Sequence, residues 1–230
     1  METDLLVFDL DGTLIDSKLD LALAVNATRA DAGLEPLPHE TVYSYVGNGA
    51  PVLIRKALGP AAGDEQVEKG LQFFLNYYRW HMLDNTRLYP GVAESLENWA
   101  GGKKLAVLTN KPERFSRMIL EGLGVSSLFA RVYGGNSFET KKPDPFGLNR
   151  LMGELEVAPS RTLMVGDSAV DVQTARNAGV RSCGVTYGLQ PETFQEHPPD
   201  LLIDRMEELV ELLRNGTPSS HSPRISDSRH

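Results

Sequence analysis

The sequence has few of the features that mark secreted, membrane-bound or nucleic-acid-binding proteins. Its single cysteine, Cys183, excludes an intrachain disulfide and a cysteine metal cluster. No run of about 18 apolar residues occurs, and the N-terminal apolar stretch is too short and too acidic for a signal peptide. Basic residues number 23 against 31 acidic ones, and a net charge of −8 disfavours nucleic acid as the main partner. We therefore expect a cytoplasmic monomer or homodimer with no membrane or nucleic-acid partner.

The stretch over residues 5–13 is the most informative part of the chain. An apolar run at residues 5–8 is followed by two carboxylates, Asp9 and Asp11, and then by Gly12. Four apolar residues bounded by acids predict a strand buried on both faces, as in a parallel sheet covered by helices. The acids then lie at the carboxyl end of the strand, where open α/β sheets bind ligands. Asp-Gly by itself is also a common turn, so these residues alone do not distinguish a simple turn from a ligand-binding site.

The pattern of the chain changes at about residue 88. Before it, from residue 17, only helical periodicity is present, and after residue 104 strands and helices alternate. The predicted strands are 5–8, 105–108, 131–133, 162–165, 183–186 and 201–203. We predict an α/β protein with a Rossmann-like parallel sheet core flanked by helices, formed by residues 1–16 and 89–214, and an inserted all-helical cap over residues 17–88. Residues 215–230, rich in Ser, Pro and Arg, are predicted to be a disordered tail.

Polar residues follow four of the predicted strands. They are Asp9 with Asp11, Thr109 with Asn110, Lys142, and Asp167 with Asp171. Parallel strands end at one edge of a sheet, so these groups can meet there. Each like-charged pair of carboxylates at ~4 Å costs about 4 kcal/mol at an effective dielectric near 20, which predicts a bound cation. The oxygen-only ligand set favours Mg²⁺. Taken singly, each group has a structural alternative: a helix cap for Thr109 and Asn110, a solvated charge for Lys142, and a helix N-terminus for Asp171.

The order of these groups resembles the four motifs of the haloacid dehalogenase superfamily, in its phosphatase branch. The strings are Asp-x-Asp-Gly-Thr, Thr-Asn, Lys-Pro and Gly-Asp-Ser-x-x-Asp, and the resemblance covers residues 5 to about 213. It implies a core of five or six parallel strands, a helical cap inserted after the first motif, and hydrolysis of phosphate esters through an aspartyl-phosphate. Dehalogenases of the superfamily need no metal and lack the second aspartate, so Asp11 disfavours dehalogenation.

The resemblance also implies roles for individual residues. Asp9 corresponds to the nucleophile and Asp11 to the general acid and base. Thr109 and Asn110 would hydrogen-bond the transferring phosphoryl group. Lys142, preferred over the preceding lysine because it stands directly before proline, would neutralise both the phosphoryl group and the nucleophile.

The same resemblance implies a magnesium site. Asp9, the backbone carbonyl of Asp11, and Asp167 would bind Mg²⁺. Asp171 would be a further ligand or would hold a metal-bound water.

Two strings outside the core motifs, residues 45–50 and 84–91, resemble those of bacterial phosphoglycolate phosphatases. This implies a small phosphorylated metabolite as substrate, with 2-phosphoglycolate hydrolysed to glycolate and phosphate. Gly47, Asn48 and Gly49 could offer backbone N–H groups to the substrate carboxylate, and Arg55 could pair with it. The alternatives are a simple helix-breaking turn for the glycines and a solvated face for Arg55.

Other functions stay open at this point. Pyrophosphate, nucleotides and sugar phosphates could be hydrolysed by the same core chemistry. Phosphoglucomutase relatives place a histidine where this chain has Leu21, which disfavours a mutase, while Lys56 leaves open a phosphonatase that forms a Schiff base. An aspartate-phosphorylated receiver module has similar groups around Mg²⁺. Its aspartate, however, follows a third strand, the module has about half this length, and it carries no cap.

Overall fold

The computed structural model describes residues 2–215, which form an α/β fold as predicted. The strands are β1 Leu5–Phe8, β2 Ile15–Asp16, β3 Arg87–Leu88, β4 Lys104–Leu108, β5 Arg131–Tyr133, β6 Thr162–Gly166, β7 Arg181–Val185 and β8 Leu201–Ile203. The helices are α1 Lys18–Asp31, α2 His39–Tyr43, α3 Ala50–Leu58, α4 Asp64–His81, α5 Val92–Ala100, α6 Glu113–Gly122, α7 Phe146–Glu154, α8 Ala169–Asn177 and α9 Met206–Asn215. Six of the strands form one parallel sheet in the order β5-β4-β1-β6-β7-β8.

Strand β1 lies at the centre of the sheet and is fully buried. Leu6 and Phe8 contribute to one apolar cluster, and Leu5 and Val7 to another on the opposite face. This alternation is the geometry expected of a strand covered by helices on both faces. The sequence-based prediction of a doubly buried first strand is confirmed.

Helices α1 to α4 follow one another between β2 and β3. Helix α4 packs against α1 and α3, and α2 packs against α1. The side of α4 that is buried carries Val67, Gly70, Phe74 and Tyr78, which follows the helical spacing. A Cβ at Gly70 would lie 2.8 Å from Leu58 Cδ1, so glycine allows the close approach of α3.

The two chain connections of this helical segment are tied together. Strands β2 and β3 pair antiparallel, with Ile15 opposite Leu88. The buried carboxylate of Asp20 accepts hydrogen bonds from the backbone N–H groups and side chains of Asn85 and Thr86. The prediction that residues up to 88 are entirely helical is wrong at Arg87–Leu88, because a two-residue strand is too short to show a period and forms through its partner.

The C-terminal boundary also differs slightly from the prediction. Asn215, assigned to the tail, is the last residue of α9. The rest of the predicted disordered tail lies outside the described residues. Within residues 2–215, no helix combines the length and apolar character needed to cross a bilayer.

Candidate active site

Three neighbouring strands bring the candidate residues to one edge of the sheet. Phe8 of β1 is in register with Val107 of β4 and Val165 of β6. Asp9, Thr109 and Asp167 directly follow the last residues of these three strands, so they emerge at the same edge of the sheet. The Asp9 backbone N–H donates to the Val165 carbonyl at 2.9 Å, which fixes the start of this turn.

Three carboxylates form a buried cluster at this edge, which we call the acid cluster: Asp9, Asp167 and Asp171. They are 8%, 3% and 2% exposed, and each offers an oxygen within 4.8 Å of those of the others. The Lys142 ammonium lies 3.0 Å from Asp9 Oδ1 and 2.6 Å from Asp171 Oδ1. Lys142 is 4% exposed, so it is not a solvated surface charge. One cation thus faces three carboxylates.

The electrostatics of the acid cluster favour a further cation. Burial raises the pKa of Asp9 to about 6, with Lys142 opposing the shift and Asp171 adding to it. Burial, Asp171 and Asp9 raise the pKa of Asp167 well above its usual range. A divalent ion among these hard oxygen ligands would relieve both, since buried carboxylates stay ionised when they are paired or coordinate a metal.

Glycines make room for Asp167. A Cβ at Gly12, where φ is +81°, would lie 2.0 Å from Asp167 Oδ2, and one at Gly188 would lie 2.2 Å from Asp167 Cβ. The Leu189 N–H donates to Asp167 Oδ2 at 2.7 Å. The Asp-Gly of the first motif is thus a turn, and it also admits the side chain of an acid 155 positions away.

Asp171 has two functions in the structure. Its Oδ2 accepts hydrogen bonds from the Ser168 N–H and hydroxyl, at 3.2 and 2.8 Å, which caps helix α8. Its Oδ1 pairs with Lys142. The helix-terminal explanation considered for Asp171 is therefore correct, but it accounts for only one of the two oxygens.

Asp11 lies apart from the acid cluster. Its carboxylate accepts hydrogen bonds from Lys111 Nζ, at 3.0 and 3.2 Å, and from the Ser17 hydroxyl. Ser17 occupies the N-cap position of α1 but makes no side-chain capping bond. The carboxylate of Asp11 is thus directed to Lys111, and only its backbone carbonyl is left for the role in metal binding that the resemblance implies.

Lys111 was missed in the sequence analysis. Its ammonium donates to the Tyr78 hydroxyl at 2.8 Å, which links the end of β4 to helix α4. Burial acts to lower the pKa of Lys111, but Asp11 and Tyr78 raise it above its usual range, so this lysine is charged. Burial raises the pKa of Tyr78 to about 12, so the phenol is neutral. The available signal was a lysine placed directly after Thr109-Asn110 at a strand end.

Thr109 and Asn110 do not cap a helix, because the next one, α6, has Pro112 at its N-cap. The Thr109 hydroxyl accepts a hydrogen bond from the Lys111 backbone N–H at 3.3 Å. Asn110 Nδ2 donates to the carbonyls of Gly47 and Lys142, at 3.0 and 3.1 Å. Asn110 Oδ1 is buried without a hydrogen-bond partner in the described part of the chain.

The loop between α2 and α3, residues 44–49, lies against the sheet edge. Besides Asn110, two side chains hold it: Gln190 Nε2 donates to the Val46 carbonyl and Lys141 Nζ to the Asn48 carbonyl, both at 2.8 Å. Gly47 and Gly49 have φ values of +112° and +86°, so the turn explanation holds for both. Gln190, which gave no signal in the sequence, is the second group that our sequence analysis missed.

Between the sheet edge and the helices lies a solvent-open cavity with about 660 Å³ of empty space. Its polar wall includes Asp9, Asp11 and Asp167. Its apolar wall includes Leu21, Leu53, Phe74, Leu75, Phe115 and the ring of Tyr78.

The structure does not bring two of the candidate basic residues to this cavity. Arg55 is exposed, and its guanidinium donates to Asp64 at 2.5 Å. Lys56 lies 5.5 Å from the centre of the Tyr45 ring. Neither residue lines the cavity.

Comparisons with known proteins agree with this geometry. The family described as haloacid dehalogenase-like hydrolase matches residues 6–185. A phosphoglycolate phosphatase of Colwellia psychrerythraea is 40% identical over 91% of this chain and 96% of its own, and one of Vibrio parahaemolyticus is 41% identical over 91% and 95%. A crystal structure of a predicted phosphoglycolate phosphatase from Haemophilus somnus superimposes with a TM-score of 0.88 at 34% identity, covering 92% of this chain and 98% of that one. The chain therefore belongs to the haloacid dehalogenase-like hydrolase family.

Proposed function

We propose that this protein is a Mg²⁺-dependent phosphatase that hydrolyses 2-phosphoglycolate to glycolate and phosphate. The observation that carries the proposal is the acid cluster with Lys142, which lies at the end of β1 and faces a cavity between the sheet and the helices. The relatives named phosphoglycolate phosphatase match more than nine-tenths of the chain. That match favours this substrate over others with the same chemistry.

The residues present fit a magnesium ion. Asp9 and Asp167, with the Asp11 carbonyl, would hold it, and Asp171 would be a further ligand or hold a bound water. Burial raises the pKa of Asp9 and of Asp167, and a bound cation would favour the ionised carboxylates that act as its ligands. When bound, the ion would neutralise negative charge on the phosphoryl oxygens and on the attacking carboxylate.

In the first step, an Asp9 carboxylate oxygen attacks phosphorus, and the bond from phosphorus to the ester oxygen breaks. Asp11 gives its proton to the departing oxygen, which releases glycolate. Lys142 is placed to offset the repulsion between Asp9 and the phosphoryl oxygens, because its ammonium already contacts Asp9. Thr109 and Asn110 line the cavity, and the Thr109 hydroxyl and the Asn110 backbone N–H would hydrogen-bond the phosphoryl group, because the Asn110 amide group already donates to the carbonyls of Gly47 and Lys142.

In the second step, water attacks the phosphorus of the aspartyl-phosphate, and the bond between phosphorus and Asp9 breaks. Asp11, now a carboxylate, takes the proton of the water. Inorganic phosphate leaves and Asp9 is regenerated. The division into two steps replaces one difficult displacement by two easier ones.

The helix side of the cavity supports a small substrate. Its wall is apolar except for the Tyr78 hydroxyl and the backbone of the 44–49 loop. The several hydroxyl groups of a hexose phosphate would lose their hydrogen bonds to water there without replacement, which costs binding energy. Glycolate has a single carboxylate and one methylene group to accommodate.

A substrate panel tests this proposal. We expect 2-phosphoglycolate to have the highest kcat/KM among pyrophosphate, nucleotides, hexose phosphates and p-nitrophenyl phosphate. If another compound has a much higher kcat/KM than 2-phosphoglycolate, that compound replaces it as the proposed substrate. Phosphate release limited to a single equivalent would instead favour the receiver-like alternative.

The same panel repeated after treatment with EDTA tests the metal. Activity is expected to vanish and to return when Mg²⁺ is added. Full activity in EDTA would contradict metal dependence.

We also propose that residues 17–88 form a cap that closes over the core of residues 1–16 and 89–214. The pairing of β2 with β3 and the Asp20 contacts join the two connections, which is the arrangement expected at a hinge. Closure would exclude water during the first step. We expect small-angle scattering to show a more compact particle with Mg²⁺ and a phosphate analogue than without them. Identical curves would contradict the closure. The expected cytoplasmic location and monomeric or homodimeric state stay predictions.

A further inference from the structure

The cavity contains a positive charge that the steps above do not use. Among the described residues, Lys111 is the only lysine or arginine in the cavity wall. Lys142 does not line the cavity, and its ammonium pairs with Asp9 and Asp171 of the acid cluster. Lys142 and the proposed Mg²⁺ would neutralise the phosphoryl group, but a second anionic group that enters next to Asp11 meets repulsion unless it contacts Lys111.

The position of Lys111 matches the chemistry of one class of leaving group. Its ammonium lies 3.0 Å from an oxygen of Asp11, the residue that protonates the departing oxygen in the proposed function. In 2-phosphoglycolate the carboxylate carbon is two bonds from that oxygen. When the ester oxygen contacts Asp11, the Lys111 ammonium, which also contacts Asp11, is therefore within reach of the substrate carboxylate.

Tyr78 adds a second donor at the same place. Its hydroxyl accepts the hydrogen bond from Lys111, and no described residue accepts a bond from the phenol hydrogen. The phenol lines the cavity and is otherwise buried, at 1% exposure. A charged ammonium and a neutral hydroxyl together make a pair of donors suited to the two oxygens of a carboxylate.

We propose that Lys111 and Tyr78 form the carboxylate subsite of the enzyme, which selects phosphate esters with a carboxylate on the carbon next to the ester oxygen. This inference rests on the proposed phosphatase function and names the residues that give it specificity. Arg55, the basic residue suggested by sequence, has no part in the subsite, because it faces Asp64. In the first step Asp11 is the proton donor, so the substrate carboxylate then provides the negative partner for Lys111.

The test compares two substrates that differ only at the carboxylate: 2-phosphoglycolate and 2-hydroxyethyl phosphate. For each variant, the ratio of the two kcat/KM values is measured. Lys111→Met should lower the ratio roughly 100-fold, because a buried carboxylate loses its charged partner. Tyr78→Phe should lower it roughly tenfold, because one hydrogen bond is lost. Lys111→Arg should restore part of the selectivity.

Lys104→Met is the matched control. Lys104 begins the same strand, at the opposite end, and donates to the Leu155 carbonyl, so the ratio should not change in this variant. If Lys111→Met does not fold, as judged by circular dichroism, the ratios measured for Tyr78→Phe and Lys111→Arg still test the proposal. An equal loss on both substrates in the folded variants would overturn the inference and make Lys111 a residue that only positions Asp11. A wild-type enzyme that does not prefer 2-phosphoglycolate would instead overturn the proposed function.

Discussion

Asp9→Asn should abolish steady-state turnover while the protein stays folded. An amide has the shape of the carboxylate but cannot attack phosphorus, and removal of a nucleophile typically costs roughly 10⁴-fold or more in kcat. The structure indicates that the side chain will keep its place. The amide oxygen can still accept from the Leu10 N–H, now at 2.7 Å, and Lys142 keeps Asp171 as its partner at 2.6 Å.

Stability gives a second observable for the same variant. The pKa of Asp9 is raised by burial to about 6, so its ionised form destabilises the fold at neutral pH, and an uncharged amide removes that cost. Unfolding by urea in EDTA should therefore show Asp9→Asn to be at least as stable as the wild type. Asp4→Asn is the control, since Asp4 lies near the other end of β1 and pairs with Arg161. Appreciable steady-state activity in Asp9→Asn would contradict covalent catalysis.

Lys142→Met should lower both activity and stability. Methionine has a similar length without the charge, so three buried carboxylates lose the cation that now lies among them. We expect a loss of roughly 10³-fold in kcat, as for other groups that stabilise transition-state charge. Breaking a buried ion pair by removing one partner costs about 3–5 kcal/mol, which urea unfolding in EDTA can measure.

Lys141→Met is the matched control for this prediction. The two lysines are adjacent, but Lys141 is exposed and donates to the Asn48 carbonyl, away from the acid cluster. Its replacement should cost less than about tenfold in kcat. A severe defect in Lys141→Met together with a mild one in Lys142→Met would show that the assignment of the motif lysine is reversed.

The central strands could be predicted from sequence because their signal is local. Four apolar residues between acids are enough to indicate β1, and strand ends in a parallel sheet share an edge. The sequence alone therefore predicts that Asp9, Asp167 and Asp171 lie together. Strand β3 was missed, because two residues have no period and its pairing depends on β2.

Contacts across the fold could not be predicted in the same way. Lys111 and Tyr78 meet because α4 packs over the end of β4, and nothing within either segment encodes that approach. Tyr78 has the spacing of an ordinary apolar position, since most of its surface is a buried ring. Gln190 reaches the 44–49 loop from a segment without regular spacing.

The prediction that Arg55 pairs with the substrate carboxylate does not agree with the structure, in which Arg55 does not line the cavity. The sequence leaves two alternatives for Arg55, a partner of the substrate carboxylate or a residue on a solvated face. Helix α3 buries Leu53, Ile54 and Ala57, which places position 55 on the opposite, exposed side of the helix. The periodicity that located the helix could also have shown which side faces water.

The three core side chains that hold the 44–49 loop all bind main-chain oxygens, those of Val46, Gly47 and Asn48. Every amino acid supplies such an oxygen, so the attachment does not depend on which side chains the loop carries. Replacements at positions 44, 45, 46 and 48 can accordingly change the side chains that the loop presents during evolution, while the loop stays attached to the sheet.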